Sequence, residues 1–275
     1  MKFDAKAVLD RIKIDIREKL NGSARPPKVL IITTGYDEPS ERYVRNKCRD
    51  FDEVGIKYKV KNVTTIGKLL KVIDAANNDT HIDGIIVQRP IILDDPIGIS
   101  DQHRLEQGVA SWIYPKKDID GARKDSPYPT ACVRALDILL AETNYTVCGK
   151  HALVIGRGEV GMPVARRLLD LDASVTIAHS KTPAYDLKCL IRMSDIVIGA
   201  AGVKKPIEVL SIEFVPSLIV DYGITKDDQG NLHGDLYVTY PENPYMTYTA
   251  VPGGMGLLVR AALLMNIMDA YDKRF

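Results

Sequence analysis

Residues 156–161 read Gly156-Arg157-Gly158-Glu159-Val160-Gly161. The strand-like run His151–Ile155 precedes them, and a segment of helical spacing over 159–171 follows. A lone G-x-G-x-x-G constrains little, but between a strand and a helix it constrains the fold strongly. The first glycine allows a tight turn. The second lets the backbone approach a pyrophosphate, and the third brings helix and strand close together. The helix N-terminus offers its N–H groups to the anion. The plainer reading is a glycine-rich strand-to-helix turn with no ligand.

The same alternation continues on both sides. Beyond the motif, strands are expected at Ser174–Ala178, Asp195–Ala200 and Leu218–Tyr222, with a helix over Tyr185–Met193. This order implies parallel strands joined by crossover helices. Before the motif, Phe3, Val8, Leu9, Ile12 and Ile16 give a helix over 3–20, closed by Asn21-Gly22. Val29–Ile32 reads as a buried strand, and Asp37-Glu38-Pro39-Ser40 opens a helix that Gly55 ends. Strand Lys57–Val63, a helix near 65–77 and strand Gly84–Gln88 complete another open α/β unit. The stretch from Pro90 to Pro129, with Pro96, Pro115 and Pro127 between, has only weak periodicity near 101–110. It reads as a long functional connection. A helix follows over about 130–141, and a last one begins soon after Gly256 and reaches about Tyr271.

Length and charge narrow the class of protein. At 275 residues the chain is too long for one average domain, so two are expected. Lysine plus arginine number 37 against 36 acidic residues, and this balance argues against a nucleic-acid partner. No apolar run is long enough to span a bilayer, so no membrane partner is expected. The start, MKFDAKAVLD, has no apolar signal core. Cys48, Cys132, Cys148 and Cys189 are widely separated and read as reduced thiols of a cytoplasmic protein. The five histidines show no ligand spacing, so no metal is expected.

The strand after the glycine motif bears on the choice of dinucleotide. An NAD site usually carries an acidic residue at its end, bonding the ribose hydroxyls. Here the chain reads Ala178-His179-Ser180-Lys181-Thr182, with no acid. Ser180 and Lys181, with Arg157, suit a phosphate, which favours NADP over NAD. The alternative is that these are ordinary exposed loop residues.

The first half carries quieter signals. Tyr43 and Lys47 lie four apart, on one helix face. By spacing alone they read as a surface pair. Gln88 falls at the C-terminal end of a buried strand, where ligands bind in open α/β sheets, or it caps a turn. Lys117-Asp118-Ile119-Asp120-Gly121 is a turn with two acids, of a common kind.

Their order is more specific than any one of them. Tyr-x-x-x-Lys, Gly-x-x-Val-Gln-x-Pro and Lys-Asp-Ile-Asp-Gly come first, then the glycine loop. Val220-Asp221-Tyr222-Gly223-Ile224, Gly234-Asp235 and Val251-Pro252-Gly253-Gly254-Met255-Gly256 follow. Over about residues 2–270 the series resembles the bifunctional methylenetetrahydrofolate dehydrogenase/methenyltetrahydrofolate cyclohydrolase family. The resemblance implies two doubly wound α/β domains with a cleft between them, usually in a homodimer. Residues 1–140 plus 257–275 would form the folate-binding catalytic domain, and 141–256 a Rossmann-type NADP-binding domain. A hydride would pass from methylenetetrahydrofolate to NADP, and water would then add to the methenyl product.

By the same resemblance Lys47 is the catalytic lysine, Tyr43 stacks on the folate, Gln88 orients Lys47 and Asp120 grips the pterin. Pro252, Gly253 and Gly256 line the folate side. Gly156, Gly158 and Gly161 form the phosphate loop, and Arg157, Ser180 and Ile224 contact the dinucleotide. Arg157, Lys181, Lys47 and Arg89 would share a cleft suited to two anionic ligands. The chain departs from the family's pattern in its shorter glycine loop. It also has Gln88-Arg89-Pro90 where the family has Gln-Leu-Pro. A non-catalytic folate- or NADP-binding relative, and a dehydrogenase of another small substrate on the same fold, are the alternatives.

Overall fold

The computed structural model describes residues 1–94, 102–209, 216–239 and 241–273. Pro96 and residue 101, at the start of the weakly periodic segment, lie outside the described residues. The chain divides into two compact units, Asp10–Ala131 with Arg260–Phe275, and Met1–Leu9 with Cys132–Val259.

The first of these is built from α1 (Ala5–Leu20), β1 (Lys28–Thr34), α2 (Glu38–Val54), β2 (Lys57–Val63), α3 (Ile66–Asn78), β3 (Gly84–Val87) and α4 (Gln102–Trp112). Its three strands are parallel in the order β2-β1-β3. β1 is the middle strand, and its Val-Leu-Ile-Ile run is buried on both faces, as a covered parallel strand requires. Leu69, Ile73 and Ala76 of α3, at helical spacing, pack with Leu30, Ile32 and Ile85. Asp37 caps α2 by accepting the Ser40 N–H at 2.9 Å, and Gly55 ends it in the left-handed region at φ 84°. Further along α2, Asp50 is buried and pairs with Lys13 of α1 at 2.6 Å and with Arg260. These pairs fix the rotation of α2.

Two expectations change here. Strand β3 stops at Val87, so Gln88 is the first residue beyond it, although its N–H still bonds Ile32 O at 2.8 Å. The stretch expected to be irregular contains the eleven-residue α4 and a 3-10 turn, Pro115–Lys117. α4 buries Leu105, Val109 and Ala110, but also Glu106, and that buried acid broke the apolar period.

The second unit runs α5 (Ala131–Thr143), β4 (His151–Ile155), α6 (Gly161–Asp170), β5 (Ser174–Ala178), α7 (Ala184–Met193) and β6 (Ile196–Gly199). Then come β7 (Ile207–Val209), β8 (Leu218–Asp221), β9 (Thr225–Lys226), β10 (Leu232–His233), β11 (Leu236–Val238) and β12 (Thr247–Tyr248); α8 (Met255–Asp272) begins in this unit and from Arg260 belongs to the first. Five parallel strands form one sheet in the order β12-β8-β6-β4-β5. Leu153, Ile155, Val197 and Ile219 from its strands meet Ile191 of α7 in one core. β11 pairs with β7, and β9 with β10.

Here α6 begins at Gly161 and not at 159, because Glu159 and Val160 complete the turn. β6 and β8 are shorter than expected, and α8 starts at Met255, ahead of Gly256. The strands of two or three residues carry too short a pattern to be read by periodicity.

Candidate active site

In the first unit the site lies at the C-terminal ends of β1 and β3. Lys47 reaches from α2 to donate to Gln88 Oε1 at 3.1 Å. Gln88 Nε2 donates to Arg89 O at 2.9 Å. The amide nitrogen is thus used, and the oxygen must face Lys47, which fixes the orientation of the pair. Ser40 Oγ lies 2.6 Å from Asp37 Oδ2 and 2.7 Å from Arg89 O, tying the helix start to the same strand end. Gln88 also lines a cavity of about 220 Å³ with Thr33, Gly35, Asp37, Ser40 and Pro90. Lys47 is not among the residues lining it. Tyr43, one turn before Lys47, is exposed.

The Lys117–Gly121 turn sorts its own residues. Lys117 Nζ donates to Ala76 O and Asp79 O, closing the end of α3. Asp118 is fully buried and accepts from the N–H groups of Ala122 at 3.1 Å and Arg123 at 2.8 Å. Burial pushes the Asp118 carboxyl above its ordinary range, and those N–H groups partly offset the rise. Ile119 O accepts from Asn266, and Gly121 sits where a Cβ would meet Pro129 backbone at 2.6 Å. Among the described residues nothing donates a hydrogen bond to Asp120. It is the one acid of the turn left for a ligand. Asp120 lines a small hollow with Arg89, Glu106 and Asp118. The Arg89 Nε lies 3.8 Å from the buried Glu106, so the charge added beside the site has a buried counter-charge.

In the second unit the glycine loop joins β4 to α6. Gly156 has φ 118°, and a Cβ there would lie 2.1 Å from Ala200 O. A Cβ on Gly161 would lie 2.1 Å from Gly156 O, whereas one on Gly158 would meet nothing within 4 Å. The first and third glycines therefore serve the fold, and the second leaves open space against backbone. The N-cap residue of α6, Val160, makes no side-chain cap hydrogen bond. Arg157 is exposed. After β5, Thr182 N–H bonds His179 O at 2.8 Å and Thr182 Oγ1 accepts from His179 N–H. That turn presents Ser180 and Lys181 to solvent. Ile224 is half exposed. Pro252 and Gly253 are exposed in the turn before α8, and Gly256 in its first turn.

The structure places Tyr43, Lys47, Gln88 and Asp120 in the first unit and brings Lys47 and Gln88 into contact. It places Gly156, Arg157, Gly158, Gly161, Ser180, Ile224, Pro252, Gly253 and Gly256 in the second. Sequence reasoning missed the supporting side chains Ser40, Glu106 and Asp118. Asp221 and Asp235 stand within motifs of the sequence that assign them no role. The available signal was that each of those two aspartates sits beside or one residue from a glycine. Among the described residues no cluster of His, Cys, Asp or Glu could hold a metal ion, and no helix is long and apolar enough to cross a membrane.

Comparison with known proteins gives a consistent answer. The family model "Tetrahydrofolate dehydrogenase/cyclohydrolase, catalytic domain" matches residues 3–120, and its "NAD(P)-binding domain" counterpart matches 129–275. Bifunctional protein FolD of Ruthia magnifica subsp. Calyptogena magnifica is 33% identical over 283 residues, covering 98% of this chain and 98% of that one. The crystal structure of the bifunctional FolD methylenetetrahydrofolate dehydrogenase/cyclohydrolase from Campylobacter jejuni superposes with a TM-score of 0.86. It is 28% identical and covers 100% of this chain and 99% of its own. The Trypanosoma brucei N5,N10-methylenetetrahydrofolate dehydrogenase-cyclohydrolase, solved with NADP cofactor and inhibitor, gives a TM-score of 0.83. It is 26% identical, with 100% and 98% coverage.

Proposed function

This chain belongs to the tetrahydrofolate dehydrogenase/cyclohydrolase family, and we propose that Lys47 and the Gly156–Gly161 loop carry its two reactions. The protein oxidises 5,10-methylenetetrahydrofolate to 5,10-methenyltetrahydrofolate with NADP and hydrolyses that product to 10-formyltetrahydrofolate. The observation that carries the assignment of Lys47 is its hydrogen bond to an amide whose other end is already held.

Bound NADP supplies the hydride acceptor. Hydride loss from the methylene carbon leaves a cation shared by two nitrogens, so this step asks the protein for placement and not for a base. Gly158, open above the loop, and the uncapped start of α6 suit the pyrophosphate. Ser180 and Lys181 suit the additional phosphate of NADP, with Arg157 assisting, and Ile224 borders the dinucleotide.

Hydration of the cation releases a proton, which needs an acceptor. Lys47 takes it from the attacking water, with Gln88 holding the amine in place. Asp120 accepts hydrogen bonds from the pterin's amino and ring N–H groups, and Tyr43 stacks on the ring. Pro252, Gly253 and Gly256 line the folate. The protein acts in the cytoplasm as a homodimer. Its four cysteines form no disulfide, which suits a reducing compartment. The open edge of the five-stranded sheet at β5, with Ile177 exposed, suits pairing of subunits.

Purified protein supplied with methylenetetrahydrofolate and NADP should form reduced cofactor, and the methenyl absorbance should rise and then decay. No hydride transfer with either NADP or NAD would refute the reading. Asp120→Ala should weaken folate binding and leave NADP binding intact. Equal folate affinity in that variant would remove the pterin role.

A further inference from the structure

Two buried carboxylates in the second unit have no part in the chemistry described so far. Asp221 ends β8 and Asp235 precedes β11, and they are 4% and 0% exposed. Asp221 accepts backbone N–H groups from Gly223 at 2.8 Å, Asp235 at 3.0 Å and Leu236 at 2.8 Å. Asp235 accepts from Ala201 at 2.5 Å, Gly202 at 3.0 Å and Val203 at 2.9 Å. Six backbone N–H groups thus end on two carboxylates. The local glycines make room for them. A Cβ on Gly234 would lie 2.0 Å from Asp221 Oδ2, one on Gly223 2.4 Å from Asp235 Cγ, and one on Gly199 3.0 Å from Asp235 Cβ.

The loops held this way are those that border the crevice of the sheet. The chain leaves β4 for β5 on one side and later returns to β6 on the other. In open α/β sheets the ligand binds at the carboxyl ends of the strands at such a reversal. Its two lips are the glycine loop after β4 and the loop after β6, and they touch where Gly156 packs on Ala200. Asp235 holds the next three residues of the second lip. Asp221 holds Gly223, the neighbour of Ile224.

We propose that Asp221 and Asp235 are positioning residues for the dinucleotide: a carboxylate clasp that sets the loops after β6 and β8 in their binding geometry before the cofactor arrives. The proposal rests on the reading that NADP binds this unit. Both residues act through backbone, so their removal changes cofactor affinity and not the folate chemistry of Lys47. An asparagine is a poor replacement, because its NH₂ would face an N–H that needs an acceptor.

Calorimetric titration with NADP and the hydrolysis of methenyltetrahydrofolate, which needs no dinucleotide, test this together. Asp235→Asn should weaken NADP binding at least tenfold and keep hydrolysis within twofold of wild type. An NADP affinity within twofold of wild type would overturn the clasp. Absence of NADP binding by the wild-type protein would instead overturn the cofactor reading, and the clasp with it. Amide hydrogen exchange on the wild-type protein gives an answer even where the variant does not fold. The amides of 201–203 and 223 should already be protected without NADP. Protection that appears only on adding NADP would show loops ordered by the ligand, and the proposal would fail.

Discussion

The two units begin alike and diverge at one helix start. In each, the first strand lies between the second on one flank and the third on the other. In each, a helix follows the first strand. In the first unit that helix is α2, and the Asp37 carboxylate already caps it. In the second it is α6, which follows a glycine loop and whose N-cap residue, Val160, supplies no side-chain cap. A capped N-terminus has one of its N–H groups already bonded and carries a negative charge where an anion would bind. An uncapped one is available to a phosphate. The same topology therefore makes a side-chain site in one unit and a backbone site in the other. Lys47 and Gln88 converge by side chain, whereas the glycine loop offers main chain.

If that division holds, damage to one site should spare the other. The largest effect is expected from Lys47→Ala. General acid–base groups contribute about 10²–10⁴-fold, and the hydrolysis of methenyltetrahydrofolate should fall by roughly that factor. Calorimetric NADP affinity should not move, since the dinucleotide loop draws nothing from Lys47. Hydrolysis at wild-type rate would remove Lys47 as the base. A matching loss of NADP affinity would break the division itself.

The next test concerns buried carboxylates, which both units use to hold loops: Asp118 in the first, Asp221 and Asp235 in the second. Burial pushes Asp221 up to about 6 from the ordinary 3.8, with three N–H bonds acting against the rise. The folded protein then keeps a proton that the unfolded chain releases. This group's contribution to stability is full below about pH 4 and is lost as pH rises to about 6. The total is about 3 kcal/mol by linkage. Urea unfolding at pH 4 and pH 7 should show Asp221→Asn gaining on wild type by up to that amount at the higher pH. A constant difference between the two proteins would break the prediction.

Much of this comparison was legible in the sequence, and the exceptions share a cause. The strands Lys57–Val63, His151–Ile155 and Ser174–Ala178 were expected with the ends they have, because strong patterns are bounded by turn residues. The glycine loop announced itself through spacing within six residues. α4 did not, because Glu106 occupies its buried face to accept the Ile91 N–H. The roles within Lys117–Gly121 were also hidden. Asp118 and Asp120 are the same residue type two apart, and only the fold directs backbone N–H groups to the first. The clasp was less legible still. Asp235 holds residues more than thirty positions earlier, and no local pattern records such a partner.

The glycines sharpen the backbone side of the comparison at a smaller scale. Gly158→Ala adds a methyl into open space, so urea stability should be unchanged. The methyl occupies the approach a pyrophosphate would use, and the KM for NADP should rise about tenfold, or about 1.4 kcal/mol. Gly156→Ala should instead destabilise the fold, because its Cβ would strike Ala200 O. Similar behaviour of the two variants would mean that the loop's glycines do not divide the work.

The smallest effect is expected at the tip of the turn after β5. Ser180 is exposed, and the turn is held by His179 and Thr182 without its hydroxyl, so Ser180→Asp should leave the fold alone. Its charge would face the phosphate that separates NADP from NAD. Two charges about 4 Å apart in water interact by about 1 kcal/mol, so the NADP-to-NAD ratio of kcat/KM should fall roughly fivefold. The new carboxylate can also accept from ribose hydroxyls of NAD, which moves the ratio in the same direction. Because the site is exposed, the shift should shrink as salt is raised. A ratio that stays constant, or a shift indifferent to salt, would place the extra phosphate away from Ser180. Recognition would then fall to Arg157 or Lys181.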